Sequence, residues 1–182
     1  NGKNGYELWK SDGTSAGTVM VKDLYNGKAG SNPSYLTNVN GTLFFQATDK
    51  NGAELWKSDG TSAGTVMVKD IRSGGLGSSP MNLTAWGSTV YFTATDGTRG
   101  VELWKSDGTA GGTVIVKDIW TGSSTSSPAN LTVFNNTLFF TANDGTTGAE
   151  LWRSDGTDAG TWLVKDVNAG SVCSSPAYLN AF

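Results

Sequence analysis

Acidic side chains at regular spacing are the first candidates for chemistry in this 182-residue chain. A glutamate opens each of four octets that read ELWKSDGT or ELWRSDGT, and an aspartate follows it five residues later. Another aspartate, in the sequence Val-Lys-Asp, lies 16 residues after each glutamate. Paired carboxylates could serve as general acid and base, and repeated aspartates could bind a metal. The residues with this fixed spacing are Glu7, Asp12, Glu54, Asp59, Glu102, Asp107, Glu150 and Asp155.

The glutamates have two interpretations. In a hairpin centred on the Ser-Asp-Gly-Thr turn, Glu7 would lie opposite the region of Lys22 and Asp23. A cross-strand Glu–Lys pair would be structural, whereas Glu7 and Asp23 together could form an acid–base pair. Four near-identical copies argue against catalysis, because an active site usually breaks the symmetry of a repeat. We therefore predict Glu–Lys pairing, a structural role for the glutamates and no catalytic residue.

The aspartates of the octets are interpreted as turn residues. A calcium loop needs several oxygen side chains at alternating positions, and SDGTSAGT offers one carboxylate; Asp158 adds another in a single copy. Aspartate readily bonds the backbone two residues ahead, and the following glycine tolerates positive φ. The chain also has no histidine, which excludes histidine-based triads and histidine metal ligands within it. The sequence predicts neither a metal site nor a cofactor.

Tryptophan supplies the other repeated candidates. The four tryptophans of the octets could stack on sugar rings, but every repeat needs packing between its neighbours, so we predict that they are packing residues. Trp120 differs from its counterparts Tyr25, Arg72 and Asn168, and it lies at the start of a loop. Variation at a loop position suits specificity, and we predict Trp120 and Tyr25 as the ligand-binding candidates. The octet tryptophans are Trp9, Trp56, Trp104 and Trp152.

The elements that would position these residues are short strands. The unit that begins at Pro80 contains four β signals, NLTAW, TVYFTAT, VELWKS and TVIVKDI, separated by Gly, Asp and Ser clusters. Two-residue hairpin turns are predicted at Asn40-Gly41, Gly87-Ser88 and Asn135-Asn136. Adjacent apolar residues such as Leu8 and Trp9 point to opposite faces, so both faces need cover.

These features predict an all-β fold, a β-propeller of four-stranded antiparallel blades of about 47–48 residues. A β-solenoid is the competing repeat architecture. The predicted units are a partial blade with the third and fourth strands and a loop over residues 1–33, blades over 34–80, 81–128 and 129–176, and the first strand of a further blade over 177–182.

The four octets, each followed by Gly-Thr and Val-Lys-Asp, and four loops that end in Ser-x-Pro resemble the bacterial ELWxxDGT repeat. The likeness extends over essentially the whole chain. The resemblance implies a propeller-forming tandem-repeat protein that is secreted or associated with the cell surface. It implies no defined reaction.

Composition and charge limit the classes of partner that the chain could bind. The net charge is −3, with scattered Lys and Arg, which argues against nucleic acid. No apolar run of the length needed to cross a membrane is present. The only cysteine is Cys173, so the chain has no internal disulfide. The remaining expectations are a glycan or another surface protein as partner.

The repeat phase also generates expectations about the rest of the ring. Closing this chain on itself would leave nine residues absent, a turn and a second strand, so we expect a segment of a longer propeller, completed by further repeats or by a second copy. The sequence thus favours a non-enzymatic scaffold or binding module at the bacterial surface. A lectin-like propeller and an accessory domain of a larger secreted enzyme are the alternatives.

Overall fold

The chain forms antiparallel β-sheets joined by turns and loops. The computed structural model describes residues 2–180, and no helix occurs within that range. The strands are β1 (Leu8–Lys10) and β2 (Val19–Lys22) in sheet I; β3 (Ser34–Val39), β4 (Thr42–Asp49), β5 (Gly52–Ser58) and β6 (Val66–Lys69) in sheet II; β7 (Met81–Trp86), β8 (Thr89–Ala94), β9 (Glu102–Ser106) and β10 (Val114–Lys117) in sheet III; and β11 (Ala129–Phe134), β12 (Thr137–Asn143), β13 (Ala149–Ser154) and β14 (Thr161–Lys165) in sheet IV.

Each four-stranded sheet is a meander in which consecutive strands pair. The prediction of four antiparallel strands per repeat is therefore confirmed for sheets II, III and IV. The predicted two-residue turns connect the first and second strands, with φ of 50° at Asn40, 87° at Gly41 and 61° at Gly87. Gly and Asn occupy these turns because they tolerate positive φ better than other residues do.

The strand predicted over residues 177–182 is not formed between 177 and 180, and residues 181 and 182 lie outside the described range. The backbone there still lies beside sheet IV, since Thr132 Oγ1 donates to the Leu179 carbonyl at 3.2 Å. The same bond joins Thr37 to the Leu83 carbonyl in β7. The segment therefore lies where the first strand of a further sheet would begin.

Adjacent Leu and Trp side chains in the third strand of each sheet point to opposite faces, here called the Leu face and the Trp face. The Leu face of one sheet packs against the Trp face of the next. Leu55 of sheet II and Trp104 of sheet III belong to one core, and they are 0% and 5% exposed. Similar cores join sheets I and II and sheets III and IV.

Two lysines also cross each junction. The lysine of the octet donates to a glycine carbonyl in the Ser-Asp-Gly-Thr turn of the next sheet, as Lys57 does to Gly108 at 2.8 Å. In the first two junctions the lysine of Val-Lys-Asp donates to the carbonyl directly before the next fourth strand, as Lys69 does to Thr113 at 2.8 Å. In the third, Lys117 donates to the Asp158 carbonyl and pairs with the Asp158 carboxylate at 3.0 Å. In sheet IV an arginine replaces the octet lysine, and the Arg153 guanidinium lies 4.6 Å from the ring centre of Trp162.

We expect the buried tryptophans to dominate the stability of the junctions. Trp104→Ala should lower the free energy of unfolding by about 3–5 kcal/mol, because it empties a large volume in a closed core. Trp9→Ala should cost much less, since Trp9 is 43% exposed on the Trp face of sheet I. Urea denaturation of both variants checks this, and equal losses would contradict the packing described here.

Candidate functional site

The octet glutamates are the most enclosed charged groups of the chain. Glu54, Glu102 and Glu150 have no exposed surface, and Glu7 is 8% exposed. Each lies in the third strand of its sheet, or directly before it, beside the loop that leaves that sheet for the next. A carboxylate that is buried in this way has little access to a substrate. Its hydrogen bonds show its structural role.

Glu54 illustrates the arrangement. Its Oε1 accepts a bond from the Ser78 backbone N–H at 2.8 Å, and its Oε2 accepts one from the Ser78 hydroxyl at 2.5 Å. The backbone N–H of Ile71 adds a bond to Oε2 at 3.1 Å. The carboxylate thus holds both ends of the loop that connects β6 to β7. The matching sets are Glu7 with Leu24 and Ser31, Glu102 with Ile119 and Ser126, and Glu150 with Val167 and Ser174.

The expected Glu–Lys pair across the hairpin is wrong. Lys22 donates instead to the Thr65 carbonyl of sheet II, 43 residues away, and Glu7 is occupied by Leu24 and Ser31. The physical reason is solvation. A buried carboxylate is satisfied at low cost by fixed backbone and hydroxyl donors, whereas the long lysine side chain reaches a backbone carbonyl of the next sheet.

The aspartates of Val-Lys-Asp lie beside these glutamates. The charge of Asp118 makes a minor contribution to the raised pKa of Glu102, so the two carboxylates are within electrostatic range. The Oδ1 atoms of Asp23, Asp70, Asp118 and Asp166 are buried and accept no hydrogen bond. Because the pattern occurs in all four copies, it distinguishes no single copy as a reaction centre.

The pKa shifts of the buried glutamates differ in direction. Burial raises the pKa of Glu54 and Glu102 above the usual value, although the bonds from Ser78 and Ser126 act in the opposite direction. Burial acts in the same way on Glu150, but the bonds from Ser174 and Val167 together outweigh it and leave the pKa of Glu150 lowered.

The octet aspartates are turn residues in the structure. Asp59 Oδ1 accepts bonds from the Thr61 backbone N–H at 2.8 Å and from the Thr61 hydroxyl at 2.7 Å. The same threonine oxygen accepts the backbone N–H of Gly64 at 2.9 Å. The Thr61 hydroxyl, followed by its backbone N–H, lowers the pKa of Asp59. Asp12, Asp107 and Asp155 have equivalent bonds.

A glycine completes this turn because the aspartate carboxylate occupies the space of a side chain. A Cβ atom added to Gly112 would lie 2.1 Å from Asp107 Oδ1. Gly17, Gly64 and Gly160 have the same contact with the aspartates of their own turns. The neighbouring Gly111 has no atom within 4 Å of such a Cβ. The exposed carboxylate thus packs against its own turn, with its threonine partner and a glycine beside it.

The tryptophans of the octets divide by position. Trp56, Trp104 and Trp152 are buried between sheets, with indole N–H groups that have no hydrogen-bond partner. Trp9 is partly exposed on sheet I. The three enclosed indoles present no open face to a sugar.

The ligand candidates Trp120 and Tyr25 lie at equivalent places in two different junctions. Trp120 is half-buried and lies against Gly145 in the turn that follows β12, where an added Cβ would be 2.5 Å from its ring. Lys50 stands at the position of Gly145 in the turn beside Tyr25. Tyr25 there lines a shallow cleft together with Leu24, Asn26, Asp49 and Lys50. The structure therefore places one candidate against a turn and the other beside an open cleft.

The part of the chain from residue 2 to 180 holds no group of three or more His, Cys, Asp or Glu side chains that could bind a metal ion. That same stretch has no helix able to span a membrane. Comparison with protein-family models and with curated proteins found no match to this chain.

The pH dependence of stability should separate the glutamates. A raised pKa in the folded state gives a contribution that is present below the usual value of 4.5 and is lost as the pH rises through the folded pKa. The free energy of unfolding of the wild type minus that of Glu54→Gln should therefore decrease between about pH 4 and about pH 8. Urea denaturation at a series of pH values measures this difference.

Glu150→Gln is the matched control, because its lowered pKa reverses the sign. Its contribution is present above 4.5 and is lost as the pH falls through the folded pKa. The corresponding difference for Glu150→Gln should increase with pH only up to about pH 5 and stay level from there to about pH 8. Parallel slopes for the two variants would contradict the assignment.

The glycine of the aspartate turn should be intolerant of a side chain. Gly112→Ala should lower the free energy of unfolding by about 1–3 kcal/mol, since the methyl group overlaps the Asp107 carboxylate. Gly111→Ala should change it by less than about 1 kcal/mol. Thermal or urea denaturation compares them, and restored stability in Gly112→Ala combined with Asp107→Ala would assign the loss to that overlap. Equal losses for the two single variants would refute it.

Proposed function

We propose that this chain is a non-enzymatic repeat scaffold or binding module and forms part of a β-propeller in an extracellular or cell-surface bacterial protein. The observation that carries the proposal is the identical use of the acidic residues in every copy. The octet glutamates hold loops and the octet aspartates hold turns. No copy departs from this pattern in a way that would create a reaction centre among residues 2–180.

The arrangement of the sheets supports the propeller. Sheets I to IV follow one another in chain order, Leu face against Trp face, and lysines cross every junction in the same direction. The first strands of successive sheets also lie together, as the bond from Thr37 in β3 to Leu83 in β7 illustrates. First strands gathered at one side, with repeated sheets radiating from them, are what a propeller requires.

The resemblance to the ELWxxDGT repeat supports the location at the cell surface or outside it. A tandem-repeat scaffold there would present its variable loops to a glycan or to another surface protein. The loops between sheets differ between copies, whereas the octets differ only in the arginine at position 153, so specificity is assigned to the loops.

Turnover assays test the absence of catalysis. We expect no turnover of glycoside, ester, peptide or phosphate substrates by the purified chain. Turnover that is reproducible and is abolished by Glu102→Gln, with the fold retained, would overturn the proposal. Asp158→Asn serves as the control variant, because Asp158 is an exposed carboxylate at the surface of sheet IV.

The cleft at Tyr25 favours carbohydrate binding as a second candidate function. It combines an aromatic ring with the polar side chains of Asn26, Asp49 and Lys50. Such a set suits a sugar, which offers an apolar ring face and hydroxyl groups.

A glycan array with the purified chain tests this candidate. Saturable binding at this cleft should be lost in Tyr25→Ala. It should be retained in Trp162→Ala, an exposed tryptophan that lies in β14 rather than in a loop. An array without a saturable signal, or a signal that depends on Trp162 instead, would contradict carbohydrate binding at this cleft.

A further inference from the structure

The junction between sheets II and III contains a small open cleft. Its walls include the apolar side chains of Val39 and Phe44, and its rim carries the exposed polar side chains of Asn40, Ser88 and Asp107. Both sheets have four paired strands, so the cleft belongs to a junction between two whole repeats. Its volume is about 190 Å³. Sites that enclose drug-sized ligands hold about 300–1,000 Å³, so this cleft suits a single side chain.

The next junction shows what fills the same place. There Trp86 stands at the position of Val39, and the centre of its ring lies 5.1 Å from that of Tyr91. Its indole N–H donates to Asn136 Oδ1 at 3.0 Å. A Cβ atom added to Gly156 would lie 3.6 Å from the same ring. The indole thus contacts one aromatic side chain of its own sheet and two turns of the following sheet.

Each of these neighbours of the Trp86 indole has a counterpart that lines the cleft. The pairs of equivalent residues are Phe44 and Tyr91, Ser88 and Asn136, and Gly108 and Gly156. Val39 is buried in the core of its own junction, as Trp86 packs against the core of the next. Because valine lacks the ring, the space that the indole occupies between sheets III and IV stays open between sheets II and III.

The groups around the cleft suit an aromatic ring that carries a hydrogen-bond donor. The Ser88 hydroxyl can accept a bond from an indole N–H, as Asn136 does for Trp86. Phe44 supplies an aromatic neighbour for that ring. The exposed side chains of Asn40 and Asp107 can bond backbone groups on either side of it. Tryptophan combines a large apolar area with one N–H, and it is enriched among the residues that dominate binding in interface pockets.

We propose that the cleft between sheets II and III binds a tryptophan side chain of a partner protein, in the place that Trp86 fills one junction later. A free ring would gain little from a cleft that is open to solvent, whereas a partner adds contacts at the polar rim. The proposal rests on the binding role proposed above and gives that role a partner chemistry. It uses a junction other than that of Tyr25, so peptide binding and the glycan array can fail independently.

A fluorescein-labelled peptide, Gly-Ser-Trp-Ser-Gly, tests the proposal with the full chain by fluorescence anisotropy. Binding should be saturable, and the same peptide with alanine in place of tryptophan should not bind. Val39→Trp should weaken binding by about tenfold or more, because the chain then fills its own cleft. Val66→Trp is the matched control and should leave binding unchanged, since Val66 is an exposed valine of β6 away from the cleft.

Ser88→Asn tests the hydrogen bond without a change in the core, and it decides the matter if Val39→Trp does not fold. It supplies the amide that Asn136 offers to Trp86, and it should tighten binding by about fivefold, the effect of one hydrogen bond.

The proposal is overturned by non-saturable binding, by equal binding of the alanine peptide, by equal effects of Val39→Trp and Val66→Trp, or by unchanged affinity in Ser88→Asn. Equal competition by free indole and by the unlabelled peptide would overturn the assignment to a partner protein in favour of a small aromatic compound.

Discussion

The bond network of the octet glutamate is the interaction on which the rest of the structure depends. Each sheet must pass the chain from its outer fourth strand to the first strand of the next sheet, and the connecting loop is rich in glycine and serine. Such a loop has a high conformational entropy in the unfolded chain. Glu54 fixes it at both ends, at Ile71 and at Ser78. Where the loop ends determines where the next sheet begins, so one carboxylate in each sheet sets the spacing of the array.

A charged group suits this task although burial is costly. Removing a carboxylate from water carries a penalty that only several good donors can offset. The serine supplies two of them, from its backbone and its hydroxyl, and both point at one carboxylate. Such a site is satisfied in one loop conformation alone. The apolar Leu and Trp faces would stay in contact after a small shift of one sheet along the next, whereas the hydrogen bonds of the glutamate would break. The apolar faces and the glutamate bonds together define a single packing of neighbouring sheets.

Some of this architecture could be predicted from the sequence, because its signals are local. Turn residues such as Asn40 and Gly41 and the run of β-forming residues in TLFFQAT identify strands and their connections directly. The adjacent Leu and Trp indicated that both faces are covered. The glutamate partners could not be predicted from a hairpin, since they lie 17 and 24 residues ahead in a loop. The recurrence of serine 24 residues after each glutamate was the signal that could have revealed them.

The cross-strand pairing predicted for the lysine of Val-Lys-Asp was wrong for a related reason, and the octet lysine follows the same pattern. Their partners are carbonyl groups of the next sheet, 51 residues ahead for Lys57 and 44 for Lys69, and a carbonyl leaves no trace in a sequence. The contacts of the candidate ligand-binding residues could not be predicted for the same reason. The position of Trp120 could be recognised as variable, but its contact with Gly145 depends on how two sheets pack. A contact between repeats depends on how the sheets pack, and the sequence of a single repeat does not reveal it.

The junctions have a direction. A Leu face always meets a Trp face, and each lysine reaches toward the following sheet, so the surface that a repeat offers to its successor differs from the one it offers to its predecessor. Contacts of this kind are heterologous, and they either close into a ring or continue as an open superhelix according to the rotation that each step adds. The number of repeats in a closed assembly is therefore a property of the angle between adjacent sheets. Lengthening or shortening a single connecting loop would act on that angle and change the symmetry of the whole assembly without altering any individual sheet.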